Sequence, residues 1–218
     1  MVDYRIFKAK CQAYKPFVVQ LWFLWYFFFV KIGILDIQGS VEEHFAALSK
    51  CGLEVVLVKK IADFDEVSGL IIPGGESTTI GKLLEKFELD KAIIAKFKKG
   101  MAIWGTCAGA ILLAKRIVED SKVNGLKLMD VEVSRNAYGR QIDSFETEIN
   151  FGVGKDSKKI PAVFIRAPKI SSIGKNVKIL AKYKNEIIAA REGKLLATTF
   201  HPEMTNNLEV HKYFVKMC

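Results

Sequence analysis

The chain has 218 residues, half of them hydrophobic and 26% charged, which suits one compact domain and excludes a disordered chain. Net charge is +9, yet Arg5, Lys8, Lys10 and Lys15 against Asp3 alone place +3 of it in the first thirty residues and leave +6 for the rest. The other lysines sit among acids, as at Glu85, Lys86, Glu88 and Lys91. No Arg-rich run is interleaved with aromatics, so nucleic acid is not an expected partner.

Residues 17–30 (FVVQLWFLWYFFFV) are apolar apart from Gln20. The run is shorter than the ~20 residues of a spanning helix. No small-residue cleavage site follows it, because residues 31–37 already read as a core strand. No Met lies between Met1 and Met101, and Val30 stands where an initiator belongs. We therefore expect translation to begin at Val30 from a GUG codon, with residues 1–29 as upstream extension, residues 30–218 as a single domain and no membrane partner. An intact mass of the native protein that includes residues 1–29 would contradict this.

From residue 31, short apolar runs alternate with amphipathic stretches. Strands are expected at 32–37, 55–58, 70–72 and 101–104. Helices are expected at 41–51, 79–87, 91–99 and 110–116, with Phe45, Leu48 and Cys51 on the inward face of the first, and Gly52 and Gly100 as stops. Such alternation implies a parallel sheet covered on both faces. Beyond about residue 125 the pattern turns to strands, at 128–134, 145–149, 162–165, 177–183, 187–191 and 195–199, before a last helix at 208–217. The expected fold class is α/β: an open, mostly parallel sheet flanked by helices, with added antiparallel strands in the second half.

The chemistry concentrates in three turns. Gly105-Thr106-Cys107-Ala108-Gly109 lies between an apolar strand and a helix, where small residues permit a sharp turn that lifts a nucleophile above the sheet edge. A cysteine there faces a helix N-terminus, which favours thiolate. Cys11, Cys51 and Cys218 lack this setting and read as small buried hydrophobes. No two cysteines form a CxxC pair, and with His44, His201 and His211 they make no zinc-ligand cluster, so a reducing cytoplasm is expected. A cysteine nucleophile needs a base and a group to orient it. Phe200-His201-Pro202-Glu203 supplies both, because residues two apart in an extended chain project to the same side. Pro73-Gly74-Gly75-Glu76-Ser77 follows a strand, and its glycines let N–H groups turn into a pocket. Gly75 and the N–H of Ala108 are the expected oxyanion hole, and Glu76 suits a substrate ammonium. The plainer reading, compatible with this one, is a Pro-Gly turn with Ser77 capping the next helix. No phosphate-binding GxxxxGK[ST] loop occurs.

Together, GTCAG, PGGEST and FHPE resemble class I, triad-type glutamine amidotransferases of flavodoxin-like fold. Four further stretches narrow the resemblance to glutaminase subunits of pyridoxal 5'-phosphate synthase: Leu35-Asp36-Ile37-Gln38-Gly39 with Glu43-His44, Arg135-Asn136-Ala137-Tyr138-Gly139-Arg140-Gln141, Ser144-Phe145-Glu146, and Phe164-Ile165-Arg166-Ala167-Pro168. The resemblance runs from about residue 31 to the C-terminus; Met204 departs from the expected Leu. It implies Cys107 as nucleophile, His201 as general base and acid, and Glu203 as its orienting partner. It implies L-glutamine held by Gly75, Glu76, Ser77, Arg135, Ile165 and Arg166. It further implies Gln38 at the interface with a synthase subunit, no cofactor or metal, and an oxyanion hole poorly formed until that partner docks. Two alternatives remain at this level: a glutaminase serving another biosynthetic enzyme, and a catalytically silent docking module.

Overall fold

The computed structural model describes residues 30–118, 123–135 and 144–218. The N-terminal extension, Cys11 and the 136–141 part of the Arg135-to-Gln141 stretch lie outside them.

Nine of the strands form one path in the order β2-β1-β3-β4-β12-β11-β9-β6-β5, and β10 pairs with β11. Here β1 is Lys31–Leu35, β2 Glu54–Val58, β3 Gly69–Ile72, β4 Ala102–Thr106, β5 Ala114–Val118, β6 Met129–Ser134, β9 Lys169–Ile173, β10 Lys178–Tyr183, β11 Glu186–Glu192 and β12 Leu195–Thr198. The pairs from β2 through β12 are parallel, and β11 is antiparallel to β9, β10 and β12. A separate antiparallel pair joins β7 (Phe145–Phe151) to β8 (Lys158–Phe164). The expected architecture, parallel first and antiparallel later, is present.

Alternation along each strand fills both faces of the sheet. Leu35, Leu70, Ile72, Ile103 and Ala197 pack on one side, against α2 (Ser77–Lys86), α3 (Leu89–Lys98) and α4 (Ala108–Leu113). Ile32, Ile34, Ile71, Trp104 and Leu196 belong to the other side, with Leu48 of α1 (Val41–Lys50) and Val210 and Phe214 of α5 (Glu209–Val215). Trp104 is wholly buried there. Truncating a residue such as Leu70 to Ala would cost about 2–5 kcal/mol.

Several expectations need correcting. The inward face of α1 is His44, Ala47 and Leu48, whereas Phe45 is 43% exposed. A polar His44 at an inward position disguised the true spacing. The helix expected at 110–116 stops at Leu113, and β5 follows at once. There Lys115 and Arg116 leave the core and meet Asp130 and Glu132 of neighbouring β6. Strand β9 was not expected, because Lys-Ile-Ser-Ser-Ile carries too few apolar residues to signal an interior strand. Glu76, not Ser77, caps α2: its carboxylate accepts from the Thr78 and Thr79 N–H groups.

Candidate active site

The three motif turns occupy the C-terminal ends of three adjacent strands. Ile72 pairs with Gly105, and Thr198 with Thr106, so the segments after β3, β4 and β12 leave the sheet side by side. The loop after β1 joins them, through the Ser40 N–H donating to the Gly74 carbonyl at 3.0 Å. The C-terminal edge is where open α/β sheets bind ligands.

Cys107 sits in a sharp turn, with φ 47° and ψ −101°, pinned by its N–H on the Thr198 carbonyl at 2.8 Å. A left-handed φ is costly for a side-chain-bearing residue and is held here by its surroundings. The flanking glycines are required by contact. A Cβ on Gly105 would stand 2.3 Å from the Gly109 carbonyl carbon, and one on Gly109 would stand 2.1 Å from the Ile72 oxygen. Gly74 approaches the site itself: a Cβ there would lie 2.4 Å from His201 Cε1.

His201 and Glu203 do meet, although not by the extended geometry expected for them. Pro202–Met204 forms a 3₁₀ turn, and the turn brings His201 Nδ1 to 2.7 Å from Glu203 Oε1. That contact leaves the other ring nitrogen, Nε2, for Cys107. Burial alone would lower the pKa of His201, but hydrogen bonds to Cys107 and Glu203 overcome it and raise the value to about 10. Burial pushes Glu203 the opposite way, and the neighbouring His44 and His201 outweigh it, holding the carboxyl near about 2. Because burial lowers His44 and keeps it neutral, the imidazolium of His201 is the charge that counts. Ser40 Oγ donates to the same Oε1 at 2.8 Å.

A cleft of 470 Å³ opens over Cys107, lined by Gly75, Glu76, Ser77, Ala108, Arg135, Ile165, Arg166 and His201, so every expected substrate-binding residue borders it. Cys107 Sγ lies 3.8 Å from the Ile165 carbonyl oxygen. Arg135 is ion-paired with Glu76 at 3.1 Å and donates to Thr78 Oγ1 at 3.3 Å. Slight burial raises Glu76, but hydrogen bonds from Thr79 and Thr78 prevail and lower it to about 2. Arg166 adopts φ 45° at the rim. Gln38 lies behind the Pro-Gly-Gly turn, its Oε1 accepting the Glu76 N–H at 2.8 Å. Glu203 sits beneath the cleft, fully buried along its side chain. Sequence reasoning assigned no role to Ser40, Gly39, Ile111 or Met204, which also line the cleft. The Leu35-to-Gly39 stretch with Glu43-His44 pointed to that region through the family resemblance, without giving these residues a role. Another cleft, of 510 Å³, lies near Asp90, Lys115 and Lys127 and contains no part of this chemistry. Cys51 and Cys218 are raised by burial, Cys218 to about 12, as inert thiols should be.

The parts that a cysteine-dependent hydrolase needs, a thiol in a sharp turn, a histidine held by a carboxylate and a cleft above them, lie together at one sheet edge. Comparison with known proteins gives the family. The profile of the SNO glutamine amidotransferase family matches residues 34–218. The chain is 49% identical over 189 residues to the pyridoxal 5'-phosphate synthase subunit PdxT of Thermotoga petrophila, covering 86% of this chain and 99% of that one. It is 52% identical over 190 residues to PdxT of Dehalococcoides mccartyi, covering 86% and 97%. Among solved structures, a glutamine amidotransferase superposes with TM-score 0.81 at 39% identity, covering 85% of this chain and 97% of that one. PurLQS from Thermotoga maritima shares the fold alone, at TM-score 0.67 and 15% identity, covering 86% and 98%. The chain belongs to the SNO glutamine amidotransferase family, and it is a glutamine-hydrolysing enzyme.

Proposed function

We propose that residues 30–218 form a glutaminase domain that hydrolyses L-glutamine through Cys107, His201 and Glu203. The ammonia passes to a synthase subunit that builds pyridoxal 5'-phosphate. The supporting observation is the histidine bridging a buried carboxylate and the elbow cysteine at the floor of the cleft.

In this reading Cys107 attacks the side-chain amide carbon as a thiolate, with Gly75 and Ala108 N–H groups stabilising the oxyanion. His201, already protonated, hands its proton to the departing ammonia, then takes one from water that hydrolyses the γ-glutamyl thioester. Glu203 keeps the ring in the tautomer that does both. The Arg135–Glu76 pair offers one charge of each sign, and a zwitterionic α-amino acid takes its place between them: guanidinium to α-carboxylate, carboxylate to α-ammonium. Arg166 and the Ile165 backbone close the rim, and Ser77 borders the same end. Gln38 belongs to the docking surface for the synthase subunit in this reading, and the exposed Phe45 and Met204 offer apolar area for the same contact. The cytoplasm is the compartment that suits such a pair.

The test is glutamate release with and without the cognate synthase subunit. A sharp rise on adding the partner supports the whole reading. Release indifferent to the partner keeps the glutaminase and removes this ammonia acceptor; no release under either condition rejects it.

A further inference from the structure

Behind Glu203, away from the cleft, lie two histidines that the hydrolysis described above does not use. His44 comes from α1 and His211 from α5, and both rings are fully buried. Trp104 packs edge-on to each, with centroids 5.3 Å from His44 and 5.0 Å from His211. His44 Nδ1 is 3.1 Å from His211 Nε2. On its other side His44 Nε2 is 3.3 Å from Thr106 Oγ1 and 3.5 Å from Glu203 Oε2. Among the described residues, four buried side-chain atoms have no hydrogen-bond partner, and two of them end this cluster: Glu203 Oε2 and, at the far end, His211 Nδ1.

The proton positions follow from what each group can do. An ionised carboxylate only accepts, and a neutral imidazole has one N–H and one lone pair. A lone pair on His44 Nε2 aimed at Glu203 would repel it, so Nε2 carries the proton. His44 Nδ1 is then bare and accepts from His211 Nε2–H. His211 Nδ1 is left as a bare nitrogen, the partnerless atom observed. The reverse arrangement would turn a lone pair on the carboxylate and bury an unpaired N–H at His211, two penalties in place of one. Burial lowers both imidazoles, His211 to about 3, so neither carries a charge that would upset this order.

We propose that His44 and His211 are positioning residues for the reaction, forming a one-way donor chain, His211 Nε2–H to His44 Nδ1 and His44 Nε2–H to Glu203 Oε2, that fixes the triad carboxylate from behind. Oε1 serves His201 and Ser40, and Oε2 is reserved for His44. The carboxylate therefore cannot rotate away when the charge on His201 changes during turnover. The 3.5 Å contact is long for a hydrogen bond, as such contacts often are before substrate binds. The inference rests on Glu203 being the triad acid.

Two measurements test it, and the first needs no activity. In ¹⁵N-histidine NMR of the full chain near neutral pH, His44 and His211 should both be Nε2–H tautomers with bare Nδ1 atoms. An Nδ1–H tautomer at His44, or a cationic ring at either position, overturns the proposal whatever the enzyme does. The second is glutamate release with the synthase subunit present. His44→Leu should lose on the order of tenfold in kcat with glutamine KM almost unmoved. His44→Gln, whose amide N–H reaches where Nε2–H was, should recover most of the loss, and His211→Leu should lose less than His44→Leu. Equal losses in His44→Leu and His44→Gln reduce the pair to a packing role and overturn the proposal. A wild-type enzyme that releases no glutamate would instead strike the glutaminase reading, leaving the tautomer result to stand or fall by itself.

Discussion

The two sides of Glu203 carry the same residue type in opposite states. On the cleft side, His201 has a pKa raised to about 10; on the rear side, burial keeps His44 neutral and drives His211 to about 3. All three rings are buried, so burial alone does not set the state. His201 hydrogen-bonds directly to the carboxylate and to Cys107, whereas the rear pair mainly contact each other, Thr106 and Trp104. A short bond to a charge outweighs desolvation; a 3.5 Å approach does not.

That contrast can be broken from the cleft side first. Cys107→Ala should abolish glutamate release, by roughly 10⁴-fold or more, while melting normally, because it removes the nucleophile and little packing. Glu203→Gln comes next, with kcat falling roughly 10²–10⁴-fold, since the amide presents the wrong tautomer partner to His201. It should also slow alkylation of Cys107 by iodoacetamide near neutral pH, and an unchanged alkylation profile would show that the carboxylate does not govern the pair. Arg135→Ala should act on binding: glutamine KM up roughly tenfold or more with a smaller change in kcat. A loss confined to kcat would remove Arg135 from the substrate clamp.

The smallest effect is on stability, and it separates the two sides by pH. His201 is raised, so its contribution is full below about 6.5 and disappears as pH climbs towards about 10. Glu203 is lowered, so its contribution is full above about 4.5 and is lost as pH falls towards about 2. His211 is lowered instead of raised; the unfolded chain takes up a proton that the fold refuses, and stability declines as pH falls from about 6.5 towards about 3. Urea midpoints should therefore peak near neutrality, and His211→Leu should flatten the slope between pH 6.5 and 5. An unaltered slope in that variant would show that His211 is not buried neutral.

How much of this the sequence carries varies by residue. Cys107 could be read because glycines at 105 and 109 signal a strand-to-helix turn whatever surrounds them, and His201 with Glu203 because they are near in sequence. Even there the route was misjudged, since a 3₁₀ turn and not an extended chain brings them together. Ser40, His44 and His211 were not legible as site residues. Ser40 and His44 reach Glu203 only because α1 packs against the 3₁₀ turn that follows β12, and His211 reaches His44 because α5 returns against that helix. Likewise, β9 as a strand depends on partners distant in sequence, β6 and β11, whereas Glu76 caps α2 through its neighbours Thr78 and Thr79 and was masked by the more usual cap residue Ser77 beside it.

In this mechanism Cys107 carries the glutamyl group between the two half-reactions. The direct measurement is to quench the full chain in acid during turnover of glutamine with its synthase partner and weigh the peptide that contains Cys107. A γ-glutamyl adduct is expected on that cysteine and absent in Cys107→Ala. Glutamate released by the wild-type chain with no adduct there, or with one on Cys51 or Cys218, would contradict it.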